Sequence, residues 1–554
     1  TVDREPPSFE TKGGWQEILK EPHKSRLTSV LGAYTRTQRW FGGKARPFKQ
    51  ARIVEWVPLP NDAEGAIIVF LEIGYIGGEN ETYLLPLAYV PARRALDAIQ
   101  ERPETIIARI RITKKAEEGF LLDAPADARF CRRLMDLIRH RRQGKGETGE
   151  IVGHATAALQ QIPSTVEESS SPSLLQSEQS NTSILYGDRL ILKLFRRLHE
   201  GVNPDLQIGR YLTERGFAHA PPVAGFIEYR RSPKRPETLA ILMGYIRNQG
   251  NAWEYTVNLL DRYFETIAAR GSALETAPLP QGGLVQLALG DPPDETSQPV
   301  GLDLSAARTL GARTAGMHLA LAQPTEDPEF TPVRFTRLYQ RSLYQSMRAA
   351  CRRNVSLLRR RLAHLPDAIR PDALRLTEAE PAILATFRRL LDIPISGLRT
   401  RCHGDYHLGQ VLHTGRDFVI IDFEGEPARP LSERLIKRSP LRDVAGMLRS
   451  FHYATSMALQ AAEKRGWLHP DNRPLVHSWA EYWYQWMGAI FLKEYIGVAG
   501  QGQFLPSTDA ERQVLLDSYL LDKAIYELGY ELDNRPDWVA IPVTGILHVL
   551  ELRD

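Results

Sequence analysis

The chain has 554 residues, 43% of them apolar, enough to build two to four domains with cores of their own. Lysine and arginine number 70 against 67 acidic residues, a formal net charge of +3, which removes any global argument for nucleic acid as a partner. Three cysteines far apart (Cys131, Cys351, Cys402) make neither a disulfide framework nor a paired metal motif, and no apolar run reaches about 18 residues, so a reduced, cytoplasmic chain without a membrane span is expected.

In chain order, residues 1–25 read as a linker or leading segment. The start, "TVDREPPSFETKGG", lacks a signal peptide's apolar core, and its opening Thr is compatible with a processed chain or a piece of a longer polypeptide. A helix is predicted at 25–34, then an antiparallel sheet from "ARIVEWVPL", "AIIVFLEIGYI" and "ETYLLPLAYV", divided by turn-forming "PNDAEG" and "GGEN". A helix at 126–141 follows, and "RRQGKGETG" reads as a flexible charged joint. After a polar, Ser-rich stretch at 165–183 comes a hairpin, "SILYGDRLILKLF", turning at Gly187-Asp188. A helix is predicted from Pro204 to Gly216 and a strand at 238–245. From Trp253 onward the period is helical, with long helices at 251–270, 306–322, 334–361, 378–391, 443–465, 477–495 and 511–530 and a Pro-rich acidic loop at 281–300. The Arg-rich run 352–361 reads as a solvated helix face.

One stretch interrupts the helices. "CHGDYHLGQVLHTGRDFVIIDFEGEP", residues 402–427, crowds histidines and carboxylates around an apolar strand. "HTGRD" reads as a hairpin turn and "FVIIDF" as a strand ending in Asp422. This arrangement suits phosphoryl transfer. Asp405 accepts the proton of an attacking hydroxyl, while Gln410 and Asp422 hold Mg²⁺ and Glu424, on the same side of an extended segment, contacts a second ion or water. The histidines lack zinc-site spacing. His403 reads as a structural residue that holds the loop, and Glu426 as a loop stabiliser.

His403-Gly404-Asp405 with Gln410 and Asp422 resembles the core of the aminoglycoside phosphotransferase-like kinases, except that Gln410 stands where Asn is usual. With "RWFGGKAR" (39–46), "SEQSNTS" (177–183), "IDFEGEP" and "LDKAIYELGYELDNRPDW" (521–538), the chain resembles maltokinases from about Arg39 to its end. The resemblance implies an α+β, bilobal protein-kinase-like fold: a leading segment at 1–25, a β-rich N-terminal cap at 26–145, a kinase-like N-lobe at 146–246 and a helical C-lobe at 247–554. It implies ATP as co-substrate, Mg²⁺, and maltose as the acceptor phosphorylated at its anomeric hydroxyl to feed α-glucan synthesis, with fusion to or association with trehalose synthase. No nucleic acid or membrane is called for.

Site residues follow. Ser180, Asn181, Thr182 and Ser183 are expected to cradle phosphates in place of a Gly-rich loop. Lys193 is expected on the α- and β-phosphates. Its acidic partner is expected at 207, where Gln207 stands, with Glu214 as substitute. Met243 and Tyr245 are expected to read the adenine edge through backbone groups. Lys523, Tyr526, Glu527 and Tyr530 share one helix face; the resemblance favours Lys523, Tyr526 and Tyr530 as maltose contacts, with His407 beside them. "RWFGGKAR" belongs to the cap and reads as structural. Two other readings stand: a kinase of another small acceptor, and a weakly active kinase-like module that regulates a fused enzyme or binds glucan.

Overall fold

The computed structural model describes the chain except for residues 1–4, 61–64, 95–101, 162–170, 176–179, 233–235, 272–273, 291–302, 428, 467–472 and 552–554. Residues 177–179 of the Ser-rich motif and the second half of the acidic insert therefore lie outside the described residues. The chain divides into two compact units, one of residues 1–213 and 221–247, the other of 214–220 and 248–554.

The first unit carries two seven-stranded sheets. The first sheet is built from β1 (Ser8–Thr11), β2 (Phe48–Pro58), β3 (Ile67–Tyr75), β4 (Glu81–Pro91), β5 (Ile106–Ile112) and β6 (Glu117–Asp123), in the order β1-β5-β6-β4-β3-β2. Its central strands are covered on both faces. Ile67, Val69 and Leu71 pack with Leu27 and Leu31 of helix α1 (His23–Thr37), while Ile68 and Phe70 point into a second core with Leu134 and Ile138 of α2 (Ala128–Arg139). That two-sided burial explains why "AIIVFLEIGYI" is a continuous apolar run rather than an alternating one. The leading residues do more than link, because β1 pairs in parallel with β5, Phe9 opposite Ile110.

The second sheet runs β7 (Gln143–Lys145), β8 (Glu150–Ala155), β13 (Val223–Arg230), β14 (Pro236–Gly244), β11 (Leu190–Phe195), β10 (Asn181–Tyr186) and β9 (Ser173–Leu174). The charged joint at 141–149 is not free chain. It holds β7 and turns into β8, and the Glu55 carboxylate accepts from the backbone N–H groups of Glu147 and Thr148. The two sheets are tied by β12 (Arg197–Leu198), which pairs with β4, and by buried Arg196, which donates to Asp123 at 3.0 and 2.7 Å and to Thr182 Oγ1 at 2.8 Å. "RWFGGKAR" is structural, as expected. Phe41 packs on Tyr83, and Arg46 stacks on Tyr75 and pairs with Glu81.

The second unit is helical. Its principal helices are α3 (Ala252–Arg270), α4 (Ser305–Leu321), α5 (Arg337–Arg361), α6 (Arg370–Glu378), α7 (Glu380–Asp392), α8 (Leu441–Lys464), α9 (Arg473–Ala499), α10 (Asp509–Asn534) and α11 (Ala540–Glu551). The expected loop at 281–300 contains a short helix, Leu284–Leu289, whose Leu284 and Val285 are buried. Met447, Leu448 and Phe451 of α8, Trp479 and Phe491 of α9 and Leu521, Ile525 and Leu528 of α10 form its interior. Among the described residues no helix is long and apolar enough to cross a membrane.

Candidate active site

In the second unit the site grows from one loop. His403, Gly404 and Asp405 precede a 3₁₀ turn, Leu408–Gln410, and a hairpin of β15 (Val411–His413) and β16 (Phe418–Ile420). Gly404 has φ 89°, and a Cβ there would meet Gly425 Cα at 3.2 Å, so only glycine fits. The loop is held from beneath by Asp443, in the first turn of α8. Its carboxylate accepts from His403 N at 2.7 Å and Gly404 N at 3.0 Å, and His318 Nε2 lies 3.1 Å away. Burial opposes ionisation of Asp443, yet His318, His403 and the Gly404 N–H together hold its carboxyl below the usual range. His403 Nε2 stands 2.9 Å from Ile421 O, its ring between Tyr406 and Phe423, which fits the structural role.

Asp405 faces Lys523 of α10, Nζ 3.3 Å from Oδ1. Burial raises the Asp405 carboxyl, but the charges of Lys523, His407 and His403 outweigh it and hold the carboxyl below its ordinary value. Lys523 is half-buried, and Asp405, Glu527 and Glu426 outweigh the cost of that burial and raise its pKa. Around them Glu426, Arg429, Arg442, Asp522 and Tyr526 line one pocket. Glu426 accepts from Arg429 Nε at 2.5 Å, lies 3.6 Å from Arg442 Nη2 and hydrogen-bonds Tyr526. Burial pushes the Asp522 carboxyl up despite nearby arginines.

Gln410 Nε2 donates to Asp422 Oδ2 at 2.8 Å. The strand ends at Ile420, two residues earlier than predicted, and Asp422 sits at φ 66°, a left-handed conformation that Asp tolerates better than most residues. The carboxylate oxygens of Asp422 and Glu424 lie within 4.8 Å of one another. Two carboxylates and an amide oxygen are hard donors of the kind magnesium takes.

Other expected residues land differently. His407 Nδ1 accepts from Gly409 N, capping the turn, and burial lowers the pKa of its imidazole. Tyr526 joins the Asp405 pocket, while Tyr530, a turn further on, is exposed and packs against Arg535. Glu527, on the same stripe, is a structural partner, accepting from Arg449 Nε and Nη2 at 2.9 and 2.8 Å.

In the first unit Lys193 is buried and pairs with Asp205, Nζ to Oδ2 2.9 Å. The partner is thus neither Gln207 nor Glu214. Asp205 lies in the first turn of the helix Pro204–Glu214, whose entry is fixed by Asn203 Oδ1 accepting from Asp205 N. Of the four residues expected at the phosphates, three stand in a strand. Asn181, Thr182 and Ser183 are strand residues paired with Phe195, Leu194 and Lys193, Ser183 is buried and Thr182 serves Arg196; Ser180 lies at a bend just before the strand. Met243 is a paired strand residue opposite Ile191, and the Tyr245 N–H donates to Arg189 O at 2.7 Å, so that N–H is taken within the sheet. Sequence reasoning missed Asp205, Asp443, Arg429, Arg442 and Asp522.

Residues 34–127 match the maltokinase N-terminal cap domain, and residues 171–482, more than half of the chain, match the phosphotransferase enzyme family. The glucosamine kinase of Mycolicibacterium smegmatis is 25% identical over 288 residues, covering 52% of this chain and 60% of that protein. The glucosamine kinase of Streptacidiphilus jiangxiensis is 23% identical over 380 residues, covering 68% and 73%. Among solved structures, a glucosamine kinase in complex with glucosamine, ADP and inorganic phosphate superposes with TM-score 0.59 at 18% identity over 94% of this chain and 98% of that one, and a glucosamine kinase in crystal form A with TM-score 0.61 at 18% identity over 98% and 99%.

Proposed function

The chain belongs to the phosphotransferase enzyme family, and we propose that it is an ATP-dependent kinase acting on a neutral sugar, maltose, at its anomeric hydroxyl, giving maltose 1-phosphate and ADP. The observation that carries the choice of acceptor is the pairing of Lys523 with Asp405. Glucosamine carries an amino group, and its ammonium form would need a carboxylate without a cation. Here Asp405 already faces Lys523, and Glu426 already faces Arg429 and Arg442. Protein cations fill the place such an amine would take, and what remains suits hydroxyls. The maltokinase-type cap at 34–127 points the same way.

In this reading Asp405 orients the hydroxyl and accepts its proton as the oxygen attacks the γ-phosphorus. The bond to the β-phosphate oxygen breaks, and ADP leaves. Lys523, Tyr526 and Arg442 place the sugar so that the anomeric oxygen meets Asp405. Lys193, fixed by Asp205, contacts the nucleotide phosphates. Gln410, Asp422 and Glu424 would hold magnesium, which when bound neutralises charge on the β- and γ-phosphates. An ATP-using enzyme with three free cysteines fits a cytoplasmic setting. Its product would feed glycosyl transfer to an α-glucan, and a trehalose synthase, fused or associated, would supply maltose.

A coupled assay of ADP release with maltose, glucose and glucosamine tests the proposal. Turnover with maltose and little with the other two is the expected result. Preference for glucosamine would transfer the acceptor to the amino sugars, and no turnover with any sugar would favour a regulatory module.

A further inference from the structure

The second unit contains another cavity, which shares no lining residue with the pocket around Asp405. It measures ≈ 600 Å³ and lies among the C-terminal half of α8, the N-terminal half of α9 and α11. That volume is typical of a small-molecule site.

Its lining has two characters. Leu459, Ala480, Ile541 and Leu547 give an apolar wall, and the buried Tyr484 ring adds to it. Ser456, Gln460 and Thr544 bring hydroxyls and an amide. Two imidazole nitrogens are left over: His452 Nδ1 and His548 Nε2 are buried and have no hydrogen-bond partner. His452 is only 8% exposed. His548 Nε2 is 3.2 Å from Glu481 Oε1, close enough for attraction but off the line of a hydrogen bond. Buried polar atoms without partners are rare, and both belong to residues that line the cavity.

The charges narrow the ligand. Arg375 pairs with Asp372 at 3.3 Å and Arg473 with Glu463 at 2.8 Å, so a phosphate meets arginines that are already engaged. Burial, then the nearby Arg449 and His548, keep His452 from protonating. A neutral imidazole offers one donor and one acceptor, the complement of a hydroxyl. Apolar wall, aromatic ring and neutral polar edges together match a sugar, which has a C–H face and a hydroxyl rim.

We propose that this cavity is a second saccharide site, separate from the acceptor pocket, which takes a neutral gluco-oligosaccharide. Maltotriose is the probe, titrated calorimetrically into the full chain. In the Lys523→Met protein, weakened at the acceptor pocket, saturable maltotriose binding should persist. Adding Thr544→Trp, which fills the cavity from an exposed helix position, should abolish it. His452→Phe, which keeps the ring but removes its nitrogens, should weaken it about three- to tenfold, the loss of one hydrogen bond. The second variant decides the matter should the first fail to fold. Loss of all binding from Lys523→Met alone, or unchanged binding in the folded cavity variants, would overturn the proposal. So would saturable binding of inorganic phosphate that Thr544→Trp removes, because the ligand would then be an anion.

Discussion

The ammonium of Lys523 lies 3.3 Å from the carboxylate of Asp405, a residue 118 positions earlier in the chain. In the proposed reaction the pair would couple the sugar contact to the proton acceptor. Burial alone would raise the Asp405 carboxyl; Lys523 is the largest influence holding it down. Replacing Lys523 with Met should therefore raise the Asp405 pKa, so the acid limb of the kcat/KM profile should move to higher pH. The lost charged hydrogen bond should also raise the sugar KM roughly ten- to a hundredfold. A raised KM with an unmoved acid limb would leave Lys523 a sugar contact only.

Asp405→Asn keeps shape and removes the charge. A fall in kcat of about 10²-fold or more is expected, the usual size of a lost general base. ADP binding, followed calorimetrically, should be retained. Near-normal kcat in the folded variant would return Asp405 to a structural role.

Asp205 and Gln207 make a pointed comparison, because the sequence suggested the latter as partner of Lys193 and the structure selects the former. The pair is buried on both sides, so Asp205→Asn removes the carboxylate that faces a buried ammonium. A cost of about 3–5 kcal/mol is expected, along with a raised KM for ATP. Gln207→Glu adds a charge that Lys193 does not need. It should leave KM for ATP within about twofold, by the size of a few tenths of a kcal/mol, and steady-state kinetics on the two variants checks both outcomes.

The contrast shows what a sequence can convey. "HGD", "LGQ" and "VIID" were legible because their chemistry is local: the loop, the hairpin and the carboxylates follow within about twenty residues. Helices of the second unit were legible from their period. Strands β5 and β8 were passed over, although the alternating burial of "IIARIRI" is plain in retrospect; its arginines masked an ordinary one-sided strand. Residues 181–183 suggest a cradle in place of a Gly-rich loop because Ser, Asn and Thr favour turns, but pairing with β11 overrides that tendency. Asp443 and Arg442 carry no local signal at all. Asp443 acts on a backbone 40 residues away, and only tertiary packing shows it.

Asp422 hydrogen-bonds Gln410 and lies near Glu424. Asp422→Ala should abolish turnover and remove the part of ADP affinity that depends on magnesium, with sugar binding unchanged. Calorimetry with and without magnesium is the check, and an unaltered magnesium dependence would place the ion on other residues.

Asp443 should matter without touching either substrate. It is 1% exposed and holds the backbone N–H groups of His403 and Gly404, with His318 as its charged or hydrogen-bonded partner. Asp443→Asn exchanges one acceptor oxygen for an NH₂ that must face a donor. Breaking such a buried set costs about 3–5 kcal/mol. The pH dependence gives a signature. The folded-state carboxyl is lowered, so its contribution to stability is present above the unfolded value, about 3.9, and is lost as pH falls through the folded value. The Asn variant should lack that acid-dependent loss, so its stability should decline less steeply than the parent's below about pH 4. Its kcat should fall, because Gly404 leads directly into Asp405, while KM for ATP stays near the parent's. A variant that is less stable but keeps both its kcat and the parental acid slope would show that the loop is held by its other contacts, the His403 ring and the Leu408 N–H to Ser450 Oγ bond at 3.1 Å among them.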